Sequence, residues 1–288
     1  MDGYLSKSRG FIGSSQEYES AHFVLFGIPM DFTASFHPGS RWGPRAIREA
    51  SDSLEEYSFY CRRSLEEIKY YDGGDLILPF GNVEESLRRI EKVTETLLAD
   101  GKFPLALGGE HLVTLALVRA FMRKYPKLAV FQLDAHADLR DSYCGETLSH
   151  ATVMRRVAEA VGPENVYQFG IRSGTAEEYA FGRKHTRMFV EEISQPLKKI
   201  VKEWDGRPVY LTLDIDVIDP AYAPGTGTPE PGGCSSKEIL QVIGMLSHLP
   251  VVGMDLVEVV PHLDSSQRTA ILAAKLVREA LLAFSSKE

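Results

Sequence analysis

The sequence has few cysteines, no long apolar run and no excess of basic residues, and each of these deficits excludes a class of protein. Its three cysteines, Cys61, Cys144 and Cys234, are odd in number and widely spaced, so they predict neither a disulfide framework nor a thiolate metal site. No stretch approaches the roughly 20 apolar residues of a membrane helix, and the polar N-terminal segment lacks the apolar core of a signal peptide. We therefore expect a cytoplasmic protein with reduced thiols.

The charge balance bears on the partners. The 40 acidic residues outnumber the 32 basic ones and give a net charge of −8. Proteins that bind nucleic acid need clustered Lys and Arg to displace the counterions of the phosphate backbone, so this balance argues against such a partner. It favours a cationic small molecule or a metal ion. We expect neither a nucleic acid nor a membrane among the partners.

Short apolar runs alternate with amphipathic segments along the 288 residues, of which 44% are apolar and 25% charged. The predicted strands are residues 22–28, 68–71, 104–107, 128–134, 166–171, 187–190, 209–214 and 251–256. The predicted helices are residues 44–58, 83–99, 111–125, 151–161, 176–183, 192–204, 237–246 and 267–284. This alternation is typical of βαβ units around a parallel sheet.

The fold class follows from that alternation. We predict a three-layer α/β/α fold with a mostly parallel sheet of about eight strands. Asn82 with Glu85, and Ser235 with Glu238, are typical of helix starts. No repeat, low-complexity tract or long linker divides the chain, so residues 1–288 are expected to form a single domain.

Four predicted strands end in polar clusters. These clusters are Gly108 to His111, Asp134 to Asp138, Asp214 to Asp216, and Glu258. The carboxyl ends of parallel strands lie at one edge of the sheet, and open α/β sheets bind ligands just outside that edge. The four clusters are therefore expected to meet in space.

The chemistry of these clusters indicates a metal site. The expected ligands are four carboxylates and two imidazoles: His111, Asp134, His136, Asp138, Asp214 and Asp216. Carboxylates packed this closely repel one another unless cations bind, and two divalent ions would balance four of them. Oxygen and imidazole donors without thiolate favour Mn²⁺ over Zn²⁺, Fe²⁺ and Co²⁺. A lone Asp-x-Asp or strand-end His is more often structural, but several of them at equivalent strand ends favour a binuclear site.

His150 is a further candidate for a catalytic residue. It follows the loop 139–149 at a helix start, so it is expected to overhang the metal site, where a neutral imidazole could transfer a proton. A structural role for His150 is equally compatible with the sequence. Gly108-Gly109 could form a phosphate-binding turn, but no Gly-Lys-Ser/Thr follows and the neighbouring residues are acidic.

Together these motifs resemble those of the ureohydrolase family, which includes arginases and agmatinases. The similar segments are residues 27–31, 38–44, 108–111, 134–138, 213–216 with Asp219-Pro220, and 224–227. The resemblance covers nearly the whole chain and implies an arginase-like fold. It also implies homo-oligomers, commonly trimers or hexamers.

The resemblance implies roles for individual residues. One Mn²⁺ would be held by His111, Asp134, Asp138 and Asp214, and a second by Asp134, His136, Asp214 and Asp216. His150 lies where the family has a histidine credited with proton transfer, and Glu258 matches the acidic residue that binds the substrate's guanidinium. Hydrolysis would then proceed through a hydroxide that bridges the two ions.

The loop after the second motif bears on the substrate. Residues 140–150 lack the Ser-Gly-Asn-like stretch of arginases and are more similar to the loop of agmatinases. We therefore predict hydrolysis of agmatine to putrescine and urea, with Asp141 or Glu146 binding the distal amine. Val259-Val260 and His262 depart from common family patterns, so aminopropylagmatine, guanidinobutyrate and arginine remain alternatives.

Two other classes are weaker alternatives. A two-metal phosphate-ester hydrolase needs Arg or Lys to bind the phosphate, and only Arg140 adjoins a ligand motif. An inactive metal-binding relative is disfavoured because the full set of expected ligands is present, together with His150 and Glu258.

Overall fold

A computed structural model of the chain describes residues 3–6, 10–15 and 17–285. It contains a nine-stranded sheet between layers of helices, which confirms the α/β/α fold. The strands of this sheet are β1 (Leu5–Ser6), β2 (Phe23–Ile28), β5 (Tyr70–Leu76), β6 (Phe103–Gly108), β7 (Ala129–Leu133), β8 (Val166–Ile171), β9 (Arg187–Val190), β10 (Val209–Asp214) and β11 (Val251–Val257). The strands β3 (Tyr57–Ser58) and β4 (Arg63–Ser64) form a separate antiparallel pair.

All eight predicted helices are present. They are α1 (Gly43–Ser51), α2 (Val83–Ala99), α3 (Val113–Lys124), α4 (Val153–Val161), α5 (Ala176–His185), α6 (Ser194–Glu203), α7 (Ser236–Leu246) and α8 (Arg268–Phe284). Helix α1 was expected to continue to residue 58, but it ends at Ser51. The hydroxyls of Ser51 and Ser53 donate hydrogen bonds to carbonyls of the last turn, Arg48 and Ala50, which competes with continuation of the helix.

The strand order explains how the polar clusters meet. Across the sheet the order is β1-β5-β2-β6-β11-β10-β7-β8-β9, and every neighbouring pair is parallel except β1 with β5. The chain leaves a gap between β6 and β7 that β10 and β11 later fill. The four strands that precede polar clusters are therefore adjacent at the centre of the sheet, with their carboxyl ends at one edge.

Alternate residues of the central strands bury opposite faces of the sheet. In β6, Leu105 and Leu107 belong to the core under α1, α6, α7 and α8, whereas Ala106 belongs to the core under α2, α3 and α4. Helix α2 buries Leu87, Ile90 and further apolar residues at helical spacing. These two apolar layers hold the central strands in place.

Both helix starts expected from the sequence are present in the fold. The side chain of Asn82 accepts a hydrogen bond from the N–H of Glu85, and Ser235 and Glu238 cap α7 reciprocally. All three cysteines are free thiols. Within the described ranges, the structure contains no helix that is both long and apolar enough to cross a bilayer.

Candidate metal centre and cavity

The polar clusters converge on one cavity of about 180 Å³ at the carboxyl edge of the sheet. Its wall includes the following candidate residues: His111, His136, Asp138, His150, Asp214, Asp216 and Glu258. Asp134 lies directly behind this wall and is fully buried. The meeting of the four strand ends, expected from the sequence, is thus present. A cavity of this volume is smaller than the roughly 300–1,000 Å³ of drug-sized ligand sites and suits a small molecule.

His111 is at the centre of the first group of candidate ligands. Its Nδ1 atom lies 3.1 Å from an oxygen of Asp134, 3.1 Å from one of Asp138 and 3.4 Å from one of Asp214. None of these contacts has the geometry of a hydrogen bond, and this buried nitrogen has no hydrogen-bond partner among the residues that the structure describes. A lone-pair donor that faces three carboxylate oxygens in this way fits a metal ion.

A second group adjoins the first. The Nδ1 atom of His136 lies 2.8 Å from Asp216 and 3.8 Å from Asp134. The candidate ligand atoms of Asp134, His136 and Asp216 all lie within 4.8 Å of one another, as do those of Asp134, His111 and Asp138. Asp134 belongs to both groups, so the donor set fits two neighbouring cations that share a carboxylate.

The electrostatics of the cluster favour cation binding. Burial raises the pKa of Asp134 and of Asp214, and the carboxylate of Asp216 raises both further. Burial alone would lower the pKa of His136, but Asp216 and its other acidic neighbours raise it to about 11. Carboxylates that retain protons and an imidazole that gains one indicate an excess of negative charge, which divalent cations would relieve.

Glu258 is fixed beside the metal centre by backbone contacts. One of its oxygens accepts a hydrogen bond of 2.6 Å from the N–H of His111, and its own N–H donates to the carbonyl of Gly109. Burial raises the pKa of Glu258 to about 8. A Cβ atom at Gly109 would lie 1.9 Å from the carbonyl oxygen of Met30, so this close approach requires glycine.

Two of the candidate carboxylates have unusual backbone conformations. Asp138 has a φ of 53° and Glu258 a φ of 64°, in the left-handed region that non-glycine residues seldom occupy. Such residues cost about 1–3 kcal/mol each and concentrate at functional sites. Both residues lie on the wall of the cavity.

His150 lies over the cavity as expected and contacts the loop after β2. Its Nε2 atom is 3.1 Å from the hydroxyl of Ser35, and its backbone N–H donates to the hydroxyl of Thr33. The ring of Tyr143 packs edge-on against the imidazole. Burial lowers the pKa of His150, so the imidazole is neutral at pH 7.

The loop residues proposed for the distal amine lie elsewhere. Asp141 is exposed and pairs with Arg156 at 2.9 Å, and Glu146 is also exposed. The loop contributes Arg140 and Tyr143 to the cavity wall instead. The structure therefore does not bring Asp141 or Glu146 to the cluster, and their role in binding the amine stays a prediction.

Glu110 supports the site through a loop that contacts His150, and the sequence did not predict this role. Glu110 is buried and accepts hydrogen bonds from the backbone of Phe32 and Thr33 and from the hydroxyl of Thr33, which holds the loop that contacts His150. Burial raises the pKa of Glu110 to about 7, against the lowering effect of these hydrogen bonds. Its position next to His111 was the available signal.

The other nitrogen of His111 is held from the opposite side. Its Nε2 lies 3.0 Å from the hydroxyl of Thr212, and that hydroxyl donates to the buried carboxylate of Asp255. Asp255 also accepts hydrogen bonds from Tyr210 and Thr114. Such partners fix the ring orientation of a histidine whose other nitrogen binds a metal.

Comparison with known proteins agrees with this geometry. The sequence profile of the arginase family matches residues 21–283. The chain is 53% identical over 275 residues to the agmatinase of Bacillus anthracis, covering 94% of this chain and 95% of that protein. It is 36% identical over 282 residues to the guanidinobutyrase of Pseudomonas aeruginosa, covering 94% and 88%. The solved structure of agmatine ureohydrolase from Thermoplasma volcanium has a TM-score of 0.87 and 35% identity, covering 97% of this chain and 95% of that one.

The family profile and the agmatinase relatives identify the α/β fold with its buried acidic cluster as that of a ureohydrolase enzyme. The chain belongs to the arginase family, since the family profile and relatives at up to 53% identity cover nearly all of it. The family expected from the motifs is thereby confirmed.

Proposed function

We propose that the protein hydrolyses agmatine to putrescine and urea with two Mn²⁺ ions per subunit. The observation that carries this proposal is the buried nitrogen of His111, which faces three carboxylates without a hydrogen bond. The names of the relatives support the substrate, because proteins up to 53% identical to this chain are agmatinases. A small cavity without a carboxylate-binding Ser-Gly-Asn stretch also suits a decarboxylated arginine.

The proposed ligands divide into two sets that share Asp134 and Asp214. The sets are His111, Asp134, Asp138 and Asp214 for one ion, and Asp134, His136, Asp214 and Asp216 for the other. The short distances within the two candidate groups support the places of the other five residues, and Asp214 lies 3.4 Å from Nδ1 of His111. Its place in the second set rests on the family resemblance. Oxygen and imidazole donors favour Mn²⁺. When bound by these residues, the two ions would supply a strong nucleophile at neutral pH by lowering the pKa of a coordinated water.

Glu258 is the proposed guanidinium-binding residue. Its carboxylate, held by the N–H of His111, lies on the wall of the cavity beside the proposed ligands. A guanidinium next to Glu258 would favour the ionised carboxylate, and charge-assisted hydrogen bonds would orient the planar cation. This contact holds the guanidino carbon at the place where the nucleophile is generated.

His150 is the proposed proton donor to the leaving amine. During hydrolysis the oxygen of water bonds to the guanidino carbon, and the bond from that carbon to the chain nitrogen breaks. The chain nitrogen leaves as an amine only if it gains a proton. The neutral imidazole of His150, half-buried beside Ser35 on the cavity wall, can accept a proton from the attacking water and deliver it to the chain nitrogen.

One observation supports a second candidate substrate. The guanidinium of Arg140 lies on the cavity wall, over the ring of Tyr143 and 3.6 Å from Glu178. A cation at this position suits a guanidino compound whose far end is a carboxylate, such as guanidinobutyrate, and the guanidinobutyrase relative agrees with this. Agmatine remains the first choice because the agmatinase relatives are more similar to the chain.

A substrate panel tests the proposal. Urea release is measured with Mn²⁺ and agmatine, arginine, guanidinobutyrate or aminopropylagmatine, under matched conditions. The expected result is the highest kcat/KM with agmatine. Preference for guanidinobutyrate would favour the second candidate, and preference for arginine would refute both.

A further inference from the structure

Two glutamines lie side by side in the middle of the apolar sheet. Gln132 in β7 and Gln168 in β8 are register partners, and both are fully buried. Neither belongs to the proposed ligands or to the cavity wall. Burying an amide costs free energy unless its polar atoms find partners, so a pair of buried glutamines in adjacent strands requires an explanation.

The two amides form a directed chain of hydrogen bonds that ends on Asp134. The hydroxyl of Thr186 lies 2.8 Å from the amide oxygen of Gln168, and the Gln168 nitrogen donates to the oxygen of Gln132 at 2.7 Å. The nitrogen of Gln132 then donates to Oδ2 of Asp134 at 2.6 Å. This is the carboxylate oxygen that lies 3.1 Å from Nδ1 of His111.

Backbone carbonyls fix the direction of the chain. The nitrogen of Gln132 also donates to the carbonyl of His136 at 3.2 Å, and the nitrogen of Gln168 donates to the carbonyl of Ala137 at 2.9 Å. A carbonyl only accepts hydrogen bonds, so a flipped amide would bring two oxygens together at each of these contacts. The orientation that satisfies both carbonyls always directs an N–H of Gln132 at Asp134.

We propose that Gln132, oriented by Gln168, is a positioning residue that sets the direction of the Asp134 carboxylate for metal binding. This inference deepens the proposed function, because it rests on Asp134 being a metal ligand. The same two amides hold the carbonyls of the segment between Asp134 and Asp138, which carries three of the proposed ligands. Gln132 thus fixes one ligand through its side chain and the spacing of the others through the backbone.

The physical need for such a device follows from the charges. Asp134 belongs to both candidate groups and is surrounded by other carboxylates, so without a fixed donor its side chain would be repelled from its neighbours. The N–H of His136 holds Oδ1 of Asp134 at 2.6 Å, and Gln132 holds Oδ2. With one hydrogen bond on each oxygen, the plane of the carboxylate is defined before any cation arrives.

Replacement of Gln132 tests the inference by Mn²⁺ binding rather than turnover alone. The full-length chain is stripped of metal, and Mn²⁺ affinity is measured by equilibrium dialysis for the original protein, Gln132→Leu and the exposed control Gln241→Leu. Loss of the hydrogen-bond partner of a metal ligand typically weakens metal binding about 10–100-fold, and this weakening is expected for Gln132→Leu only. The electron paramagnetic resonance signal of a coupled Mn²⁺ pair should weaken in the same variant.

A double variant separates positioning from folding. Gln132→Leu with Gln168→Leu removes both partners of their shared hydrogen bond, so neither glutamine is left facing an apolar side chain. The variant also leaves the carbonyls of His136 and Ala137 without these donors, and its folding is therefore checked by circular dichroism. A double variant that folds but binds Mn²⁺ more weakly would support the inference. Unchanged affinity and an unchanged spectrum in either variant would overturn it. If the original protein binds Mn²⁺ in this way but releases no urea from any guanidino compound, the proposed function fails while the inference about Gln132 stands.

Discussion

Asp134 belongs to both groups of candidate ligands and is one of the two carboxylates proposed to be shared by the metal ions. Replacement by Asn keeps its size but removes the charge that would bridge two cations. We expect Asp134→Asn to lose Mn²⁺ and to reduce turnover by more than the roughly 10–100-fold that is typical when a metal ligand loses only a hydrogen-bond partner. Metal analysis and a urea-release assay measure both effects. The exposed Asp205→Asn is the control, and nearly full activity of Asp134→Asn would contradict the ligand assignment.

His150 is expected to affect turnover but not metal content. Loss of a general acid or base typically costs about 10²–10⁴-fold in rate, so His150→Asn should lower kcat by that order while retaining Mn²⁺. Because burial lowers the pKa of His150, protonation that removes the neutral form occurs only below its ordinary value of 6.5. The acid limb of the pH profile assigned to it should lie below that value and flatten in the variant. Loss of metal from His150→Asn would contradict the assigned role.

The candidate site could be predicted from the sequence where the backbone alone sets the position. His111, Asp134 and Glu258 follow central strands, so the shared edge of a parallel sheet was enough to bring them together. Asp141 lies in a loop, where side-chain direction depends on contacts such as the ion pair with Arg156. Gln132 was not found because one polar residue in an apolar strand does not indicate what it contacts.

A buried ion pair joins helix α1 to strand β5. Arg48 on α1 is buried, and its Nε and Nη2 atoms donate to the two oxygens of Asp72 on β5 at 2.8 and 2.9 Å. Breaking a buried ion pair leaves an uncompensated charge and costs about 3–5 kcal/mol. We expect Arg48→Ala to lower the free energy of unfolding in urea by this amount. The control Arg45→Ala removes an exposed ion pair with Glu49 and should change the free energy of unfolding little. Equal losses of stability in the two variants would contradict a special role of the buried pair.

Helices and strands with clear periodicity were predicted with their positions, but shorter and longer-range features were not. Helix α2 matches its predicted bounds because Asn82 caps it and its apolar spacing is regular. Strand β1 has two residues and therefore no detectable period. The placement of β10 and β11 between β6 and β7 depends on crossover connections, which the local sequence does not encode.

The stability of the metal-free molecule should fall as pH rises. The pKa of Glu258 is raised from 4.5 to about 8, so between these pH values the folded form retains a proton that the unfolded form has lost. The stability that this difference contributes is complete below pH 4.5 and is lost as the pH rises to about 8. The pKa of His136 is raised from 6.5 to about 11, and the stability that it contributes below 6.5 is also lost on raising the pH. The pKa of Asp216 is lowered to about 2, so its contribution to stability does not change as the pH rises above neutrality.

Thermal unfolding of the metal-free protein between about pH 6 and about pH 9 checks this expectation. The melting temperature should decrease with pH, and Mn²⁺ should raise it most at the higher pH, where its ligands are deprotonated. A metal-free melting temperature that rises over this interval would contradict the proposed charge distribution.

Assembly and domain organisation remain predictions for the whole molecule. Residues 1–288 as a single domain, a cytoplasmic location, and a homo-oligomer of three or six subunits come from the sequence and its family resemblance. Large exposed aromatic side chains, including Phe36, Trp42, Phe59 and Phe80, are compatible with contacts between subunits.

The proposed activity requires two metal ions at this site for the hydrolysis of agmatine. Metal-free protein is titrated with Mn²⁺ at a fixed agmatine concentration, and urea and putrescine are measured together. We expect no products without metal, equal amounts of the two products, and a plateau of activity at two ions per chain. Product formation without metal, a plateau at one ion, or urea without an equal amount of putrescine would contradict this expectation.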